Sequence, residues 1–193
     1  MNTLITETTE NGEIATDIYT KMADDRMLFI TNHIDDQLAS DIAATLLLKD
    51  YESGNKITLF INSEGATDIR NVFTIYDTMQ LIECPIETIC VGSAMNETAL
   101  ILAAGSKGMR FATPNAVICL AQLAQEKYYR ATLEDAKGVV ERIHKDNKAF
   151  IGAIAKKTGN KVADVMAKAK DKWFMSAKQA KTFGLIDGIL GAK

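Results

Sequence analysis

The sequence predicts an α/β fold organised on a parallel sheet. Short, largely apolar runs at residues 27–30, 57–61, 87–91 and 117–120 have the length and composition of buried strands. Segments with apolar residues at helical spacing separate them. Strands that alternate with helices pair in parallel through right-handed crossovers. The length of 193 residues, 47% of them hydrophobic, fits one domain that buries a core without a metal or disulfide staple.

Each element has its own signal. Residues 1–25 read as a polar lead-in with a turn at Asn11-Gly12. After the strand at 27–30, Asp35-Asp36 offers an N-cap for a helix to about Lys49, with Leu38, Ile42, Leu46 and Leu48 on its apolar side. Ser53-Gly54-Asn55 ends it before the strand at 57–61. Residues 68–82 carry Ile69, Val72, Phe73, Ile75, Tyr76 and Met79 at helical spacing, and Cys84-Pro85 stops that helix. Residues 96–104 are almost wholly apolar, which predicts a buried helix. Gly105-Ser106-Lys107-Gly108 is too short for a phosphate-binding loop and reads as a helix C-cap and turn. Residues 132–157 form one long, charge-rich helix, in which Glu141, Arg142, Lys145, Asp146 and Lys148 read as a solvated face. A short helix follows, Ser176 is placed to N-cap another, and residues 185–190 close the chain.

Composition excludes several functions. The formal charge of −3 argues against a dominant nucleic-acid surface. No 18-residue apolar stretch is present, so no membrane span is expected. The acidic N-terminus lacks the pattern of a signal or transit peptide, and a cytoplasmic location is expected. Cys84, Cys90 and Cys119 form no CxxC and no metal-type spacing with a histidine. They are expected as free thiols in a reducing compartment, Cys90 and Cys119 as buried small hydrophobes. Neither metal nor cofactor is expected.

Two strand-to-helix junctions on neighbouring strands make a crevice, since parallel sheets build sites at the carboxyl ends of strands. One is Asn62-Ser63-Glu64-Gly65-Ala66-Thr67, with Thr67 or Asp68 as N-cap; the other is Val91-Gly92-Ser93-Ala94-Met95-Asn96-Glu97. Ser93 is the one serine at the second junction, and its surroundings fail the G-x-S-x-G pattern. The only histidines are His33, after the first strand, and His144, midway along the long helix. Both read as surface residues away from the site. The residues by themselves therefore give a site-like crevice without catalytic machinery.

A series of blocks in chain order resembles the ClpP family, the proteolytic subunits of the Clp protease. They are Glu10-Asn11-Gly12-Glu13-Ile14-Ala15-Thr16-Asp17-Ile18-Tyr19, Ile34-Asp35-Asp36-Gln37, Leu59-Phe60-Ile61-Asn62-Ser63 and Ile75-Tyr76-Asp77-Thr78-Met79-Gln80. Leu102-Ala103-Ala104-Gly105, Arg110-Phe111-Ala112-Thr113-Pro114-Asn115, Phe174-Met175-Ser176-Ala177 and Gly184-Leu185-Ile186-Asp187 continue the match. The resemblance implies one ClpP/crotonase-like domain over residues 1–193, a head with an axial N-terminal segment (1–25) and a handle (about 123–158) that carries the long helix. It also implies heptameric rings, stacked through that helix, with an active ClpP paralogue and a Clp AAA+ ATPase as possible partners. The ATPase-docking pocket falls on Phe60, Leu81, Phe111 and Leu190, and Thr58 stands where an aromatic is usual.

The family is a Ser-His-Asp peptidase, and its motifs carry over to three positions here. The serine falls on Asn96 by the spacing to Leu102, the histidine on Ala121 by the spacing from Pro114-Asn115, and the aspartate on Lys168 from both Thr158 and Phe174. The oxyanion-loop positions fall on Ala66 and Glu97, and the loop's proline on Glu64. An amide is not a nucleophile at neutral pH, a methyl accepts no proton, and a cation cannot stabilise an imidazolium. The resemblance therefore implies an inactive, ClpR-like pseudoprotease with a structural or regulatory role. The family's Gly-rich substrate-binding strand is also replaced, at residues 123–130. Two other readings stand beside it: a peptidase using Ser93 or Thr98 with Lys168, and a crotonase-like acyl-CoA enzyme using Glu64 or Glu97.

Overall fold

The protein was analysed as a computed structural model, which describes residues 4–9, 12–124 and 132–191. A parallel sheet forms its centre. Strands β3 (Met27–Thr31), β4 (Ile57–Ser63), β5 (Ile86–Ala94), β6 (Arg110–Ala112) and β9 (Gly188–Ile189) pair in that order, all parallel. β5 forks: its middle pairs with β6, and Ser93 and Ala94 pair with β7 (Val117–Leu120). β8 (Trp173–Ser176) then adds to β7 in the antiparallel sense. The expected parallel α/β architecture is present, with one antiparallel pair added at the fork.

The predicted helices form where their caps place them. Asp35 caps α2 (Asp36–Glu52) by accepting from Leu38 N–H at 2.9 Å, and Asp68 caps α3 (Ile69–Leu81) through Arg70 N–H at 2.9 Å. Thr132 and Asp135 form a capping box at the start of α5 (Leu133–Thr158), and Ser176 with Gln179 repeats it at α7 (Ala177–Phe183). Gly159 and Gly184 end these two helices in the left-handed conformation. α4 (Thr98–Ala104) is buried at every residue, as its composition predicts, and α6 (Val162–Lys170) follows α5. Helices α2, α3 and α4 cover the sheet, and the C-terminal half of α5 inserts Phe150, Ile151 and Ile154 into the same core. The first half of α5 stands outside that core, with residues 134–138 and Val140 exposed.

The fold departs from the sequence reading in several places. The polar lead-in is a hairpin of β1 (Leu4–Thr9) and β2 (Gly12–Asp17), followed by α1 (Ile18–Asp24). The register pairs Thr9 with Gly12, and Asn11 of the expected turn lies outside the described residues. Leu48, assigned to the apolar side of α2, is 53% exposed, whereas Lys49 is buried. The buried Lys49 side chain keeps its charge paired, its ammonium reaching Glu52 at 2.9 Å, while its backbone carbonyl accepts from the Arg26 guanidinium at 2.8 Å. Strands β6 and β8 carried no signal of their own. β5 runs to Ala94, so Ser93 belongs to a strand, and α4 begins at Thr98 instead of Asn96. All three cysteines are free and buried; burial lifts the Cys90 thiol to about 11, which keeps it protonated. No helix among the described residues is long and apolar enough to cross a membrane.

Candidate functional site: a cleft at the carboxyl ends of the strands

Both predicted junctions open onto one cleft of about 450 Å³. Its floor is locked by backbone bonds between loops. Ile34 N–H donates to the Gly65 carbonyl and Thr67 N–H to the Ile34 carbonyl, each at 3.0 Å, while Met95 N–H donates to the Ser63 carbonyl at 3.0 Å. Ser63 is buried, and its hydroxyl donates to the Asn32 carbonyl and accepts from Gly65 N–H. Three loops that follow β3, β4 and β5 are thereby fixed to one another. Gly92 lets β4 and β5 meet here: a Cβ on it would lie 2.3 Å from Asn62 Oδ1, the atom that accepts from Ser93 N–H.

Three side chains converge over Gly65, whose φ of +137° suits glycine. A Cβ built there would lie 3.1 Å from Glu97 Oε2, 3.7 Å from Asn96 Nδ2 and 3.8 Å from His33 Cε1. Asn96 itself has φ +52° at a sharp strand-to-helix turn. Asparagine tolerates that conformation better than most residues. The turn has the form of an elbow that presents a side chain to a cleft, although the motif usually linked to that form is absent. The side chain presented is an amide.

Ala121 lines the same cleft and is buried, so its position supplies a methyl group only. Lys168 does not line it. It sits in the last turn of α6 with its ammonium 4.8 Å from the centroid of the Trp173 ring. Ala66, Glu97 and Glu64 all line the cleft. Of the sequence-derived positions, then, Asn96, Ala121, Ala66, Glu97 and Glu64 are brought together and Lys168 is turned elsewhere.

The alternative nucleophiles fare differently. Ser93 Oγ donates to Glu64 Oε1 at 2.9 Å but does not line the cleft, and Thr98 is fully buried with its hydroxyl donating to the Met95 carbonyl at 2.7 Å. Lys168 adjoins neither of them in the described contacts, because its ammonium is held on Trp173.

The sequence reading missed four cleft residues. His33, read as away from the site, is exposed and lines the cleft; His144 does not. Arg142 and Asp146, read as part of a solvated face, line it from α5, and Lys172 lines it with φ +51°. His33 follows a strand next to β4, so the strand-end rule that found the two junctions also points to it. Nothing local points to Arg142, Asp146 or Lys172, which arrive through the packing of α5 and α6. At the cleft edge, Arg70 holds the Asp68 carboxyl below its usual range by direct hydrogen bonds, and Arg142 adds attraction. Among the described residues, no group of three or more His, Cys, Asp or Glu side chains is arranged to hold a metal ion.

The positions expected from the resemblance to form an ATPase-docking pocket lie away from the cleft. The register aligns Phe29, Phe60, Ile89, Phe111 and Gly188 across five strands, and Phe29 and Phe60 stack at 4.9 Å. Leu190 N–H donates to the Ala112 carbonyl, placing Leu190 beside β6. Leu81 ends α3 and is 73% exposed, outside that row. Thr58 is buried and donates to Glu87 Oε2 at 3.2 Å.

Comparison with known proteins identifies the family. Residues 10–193 match the family model for Clp protease. Over 192 residues the chain is 37% identical to "ATP-dependent Clp protease proteolytic subunit 1" of Bacillus cereus (strain ATCC 10987 / NRS 248), covering 98% of this chain and 97% of that protein. With a parallel sheet that ends in a cleft at its strand junctions and a family match over nearly its whole length, the chain belongs to the Clp protease family.

Proposed function

We propose that this Clp protease family subunit is catalytically inactive, a ClpR-like pseudoprotease that acts as a structural or regulatory member of a Clp-type assembly. The observation that carries the reading is the chemistry of three positions. An amide stands at the elbow (Asn96), a methyl group at the base position (Ala121), and the cation at the acid position (Lys168) is engaged with Trp173 outside the cleft. Losing one member of a Ser-His-Asp unit already removes most of its rate. The buried Thr98 and the Glu64-bonded Ser93 give no support to a substitute nucleophile.

The assembly part of the proposal rests on family membership and on α5. A helix of 26 residues is about 39 Å long. Its exposed first half suits a handle over about residues 123–158, of which 125–131 lie outside the described residues. In this proposal the chain joins heptameric rings, alone or with an active paralogue, the rings stack through the handle, and residues 1–25 form the axial segment. Phe60, Phe111 and Leu190, with Leu81, meet an AAA+ ATPase, and the assembly works in the cytoplasm.

The test pairs two measurements on the purified protein. Incubation with a fluorogenic peptide and a serine-directed fluorophosphonate probe is expected to give neither turnover nor labelling; robust signal in both overturns the inactive reading. Native mass is expected at ring size or above, and a stable monomer, alone and with a co-expressed active paralogue, overturns the assembly reading. Measurable coenzyme A affinity would favour the acyl-CoA alternative.

A further inference from the structure

We propose that a second surface, the groove between β8 and α7, binds acidic peptide segments that carry an apolar anchor residue. The groove has a volume of about 300 Å³ and lies apart from the cleft at the strand ends, sharing no lining residue with it. Its walls are Trp173 and Phe183, whose rings meet at 88° with centroids 4.9 Å apart. That angle leaves an apolar corner between the two rings.

Several polar groups around the corner are held within the fold. Asn160 Nδ2 donates to the Phe183 carbonyl at 2.7 Å, Thr182 Oγ1 to the Lys178 carbonyl at 3.0 Å, and Gln179 Oε1 accepts from Ser176 N–H at 2.9 Å. What the groove offers an incoming group is chiefly ring surface within, with the Lys178 ammonium and the Gln179 amide at its edge and Lys168 over the Trp173 ring.

The rim is basic in a chain that is acidic overall. Residues 160–182 hold six lysines against two aspartates, while the whole chain carries −3. Lys178 lines the groove, Lys168 stands over the Trp173 ring, Lys161 follows Asn160 and Lys181 precedes Thr182. All four are exposed, and none is in an ion pair among the described residues. Charge complementarity thus selects an occupant rich in Asp and Glu, and the corner selects an apolar residue within it. A single-stranded nucleic acid would need an open ring face for base stacking. Here Lys168 covers one face of Trp173 and Phe183 packs against the same ring system. The inference holds whether or not the cleft is catalytic.

Trp173 is the only tryptophan, so its emission reports the groove directly. The native assembly is titrated with the peptide Ac-Asp-Glu-Phe-Glu-Asp-NH2, with the same peptide carrying Ala for Phe, with a Lys-for-acid version, and with oligo-dT. The first peptide is expected to give a saturable emission change that weakens several-fold as salt rises from about 0.05 to about 0.3 M. The Ala version is expected to bind several-fold more weakly, and the other two not to bind. Lys178→Glu, and separately Lys168→Gln, are expected to weaken binding several-fold with an unchanged far-UV circular dichroism spectrum. The proposal is overturned by the absence of a saturable change, by indifference to Lys178→Glu, or by equal binding of the Lys peptide or oligo-dT. It is overturned as well if emission depends on protein concentration without peptide, which would assign the groove to a second copy of the chain.

Discussion

The cleft and the C-terminal clamp are both rich in charge, and they are built in opposite ways. At the clamp, the Arg110 guanidinium donates through Nε to Asp187 Oδ2 at 2.8 Å, through one terminal nitrogen to the Lys157 and Gly184 carbonyls, and through the other to Asp187 Oδ1. Asp187 also accepts from Gly108 N–H and Arg110 N–H. One arginine thus ties β6 to the end of α5 and to the last segment of the chain. In the cleft, His33, Asn96, Glu97, Arg142, Asp146 and Lys172 arrive from four separate segments and line one open space. The clamp's polar groups are consumed by folding, whereas the cleft gathers polar side chains from loops and a helix around one open space. Polar residues that hold a fold saturate one another; those that serve a site do not have to.

The contrast breaks most visibly at Arg110. Arg110→Ala takes the guanidinium from the Asp187 carboxylate, which keeps only its backbone N–H donors, and from two carbonyls, and a loss of about 3–5 kcal/mol is expected in chemical denaturation. A loss below about 1 kcal/mol would show that the clamp is incidental. Next comes the acid limb. Hydrogen bonds from Arg110 hold the Asp187 carboxyl below its ordinary value. A depressed folded-state pKa gives stability that is present above the unfolded value of about 3.9 and is lost as pH falls through the folded one. Wild-type stability should therefore fall more steeply than that of Asp187→Asn between about pH 5 and about pH 2.

Smaller effects are expected in the cleft. Asn96→Ser, the first step towards a restored nucleophile, places serine at φ +52° and should cost about 1 kcal/mol. An unchanged denaturation midpoint would mean that the elbow relaxes around serine. Asp146→Asn should change stability by no more than about 0.5 kcal/mol, since this carboxylate faces the open cleft. A larger loss would place Asp146 among the residues that hold the fold.

Much of the architecture was legible because it rests on local chemistry. Asp35, Asp68 and Ser176 cap helices where their side chains reach N–H groups two or three residues on, and such a bond needs no distant partner. The buried helix α4 announced itself by composition. What escaped was made by partners. β6 is three residues long and exists because β5 and β9 flank it. The N-terminal hairpin is polar and takes its pairing from its own two halves, not from a core-facing stripe. Leu48 lies between the buried Leu46 and Lys49 on the turn of α2 that faces outward, and a polar lysine gave no sign that the next position would be the buried one.

The sequence by itself determined the fold class, most helix boundaries and the residue types at the three family positions, because each is written in spacing and side-chain chemistry that local structure preserves. Only the tertiary structure decided which of those positions meet. It brought His33, Arg142, Asp146 and Lys172 to Asn96 and Ala121, and it turned Lys168 onto Trp173. The physical reason is that a cleft between loops is defined by the mutual packing of β3, β4, β5, β7 and α5, segments far apart in the chain, and no local pattern records where a distant helix will present a side chain.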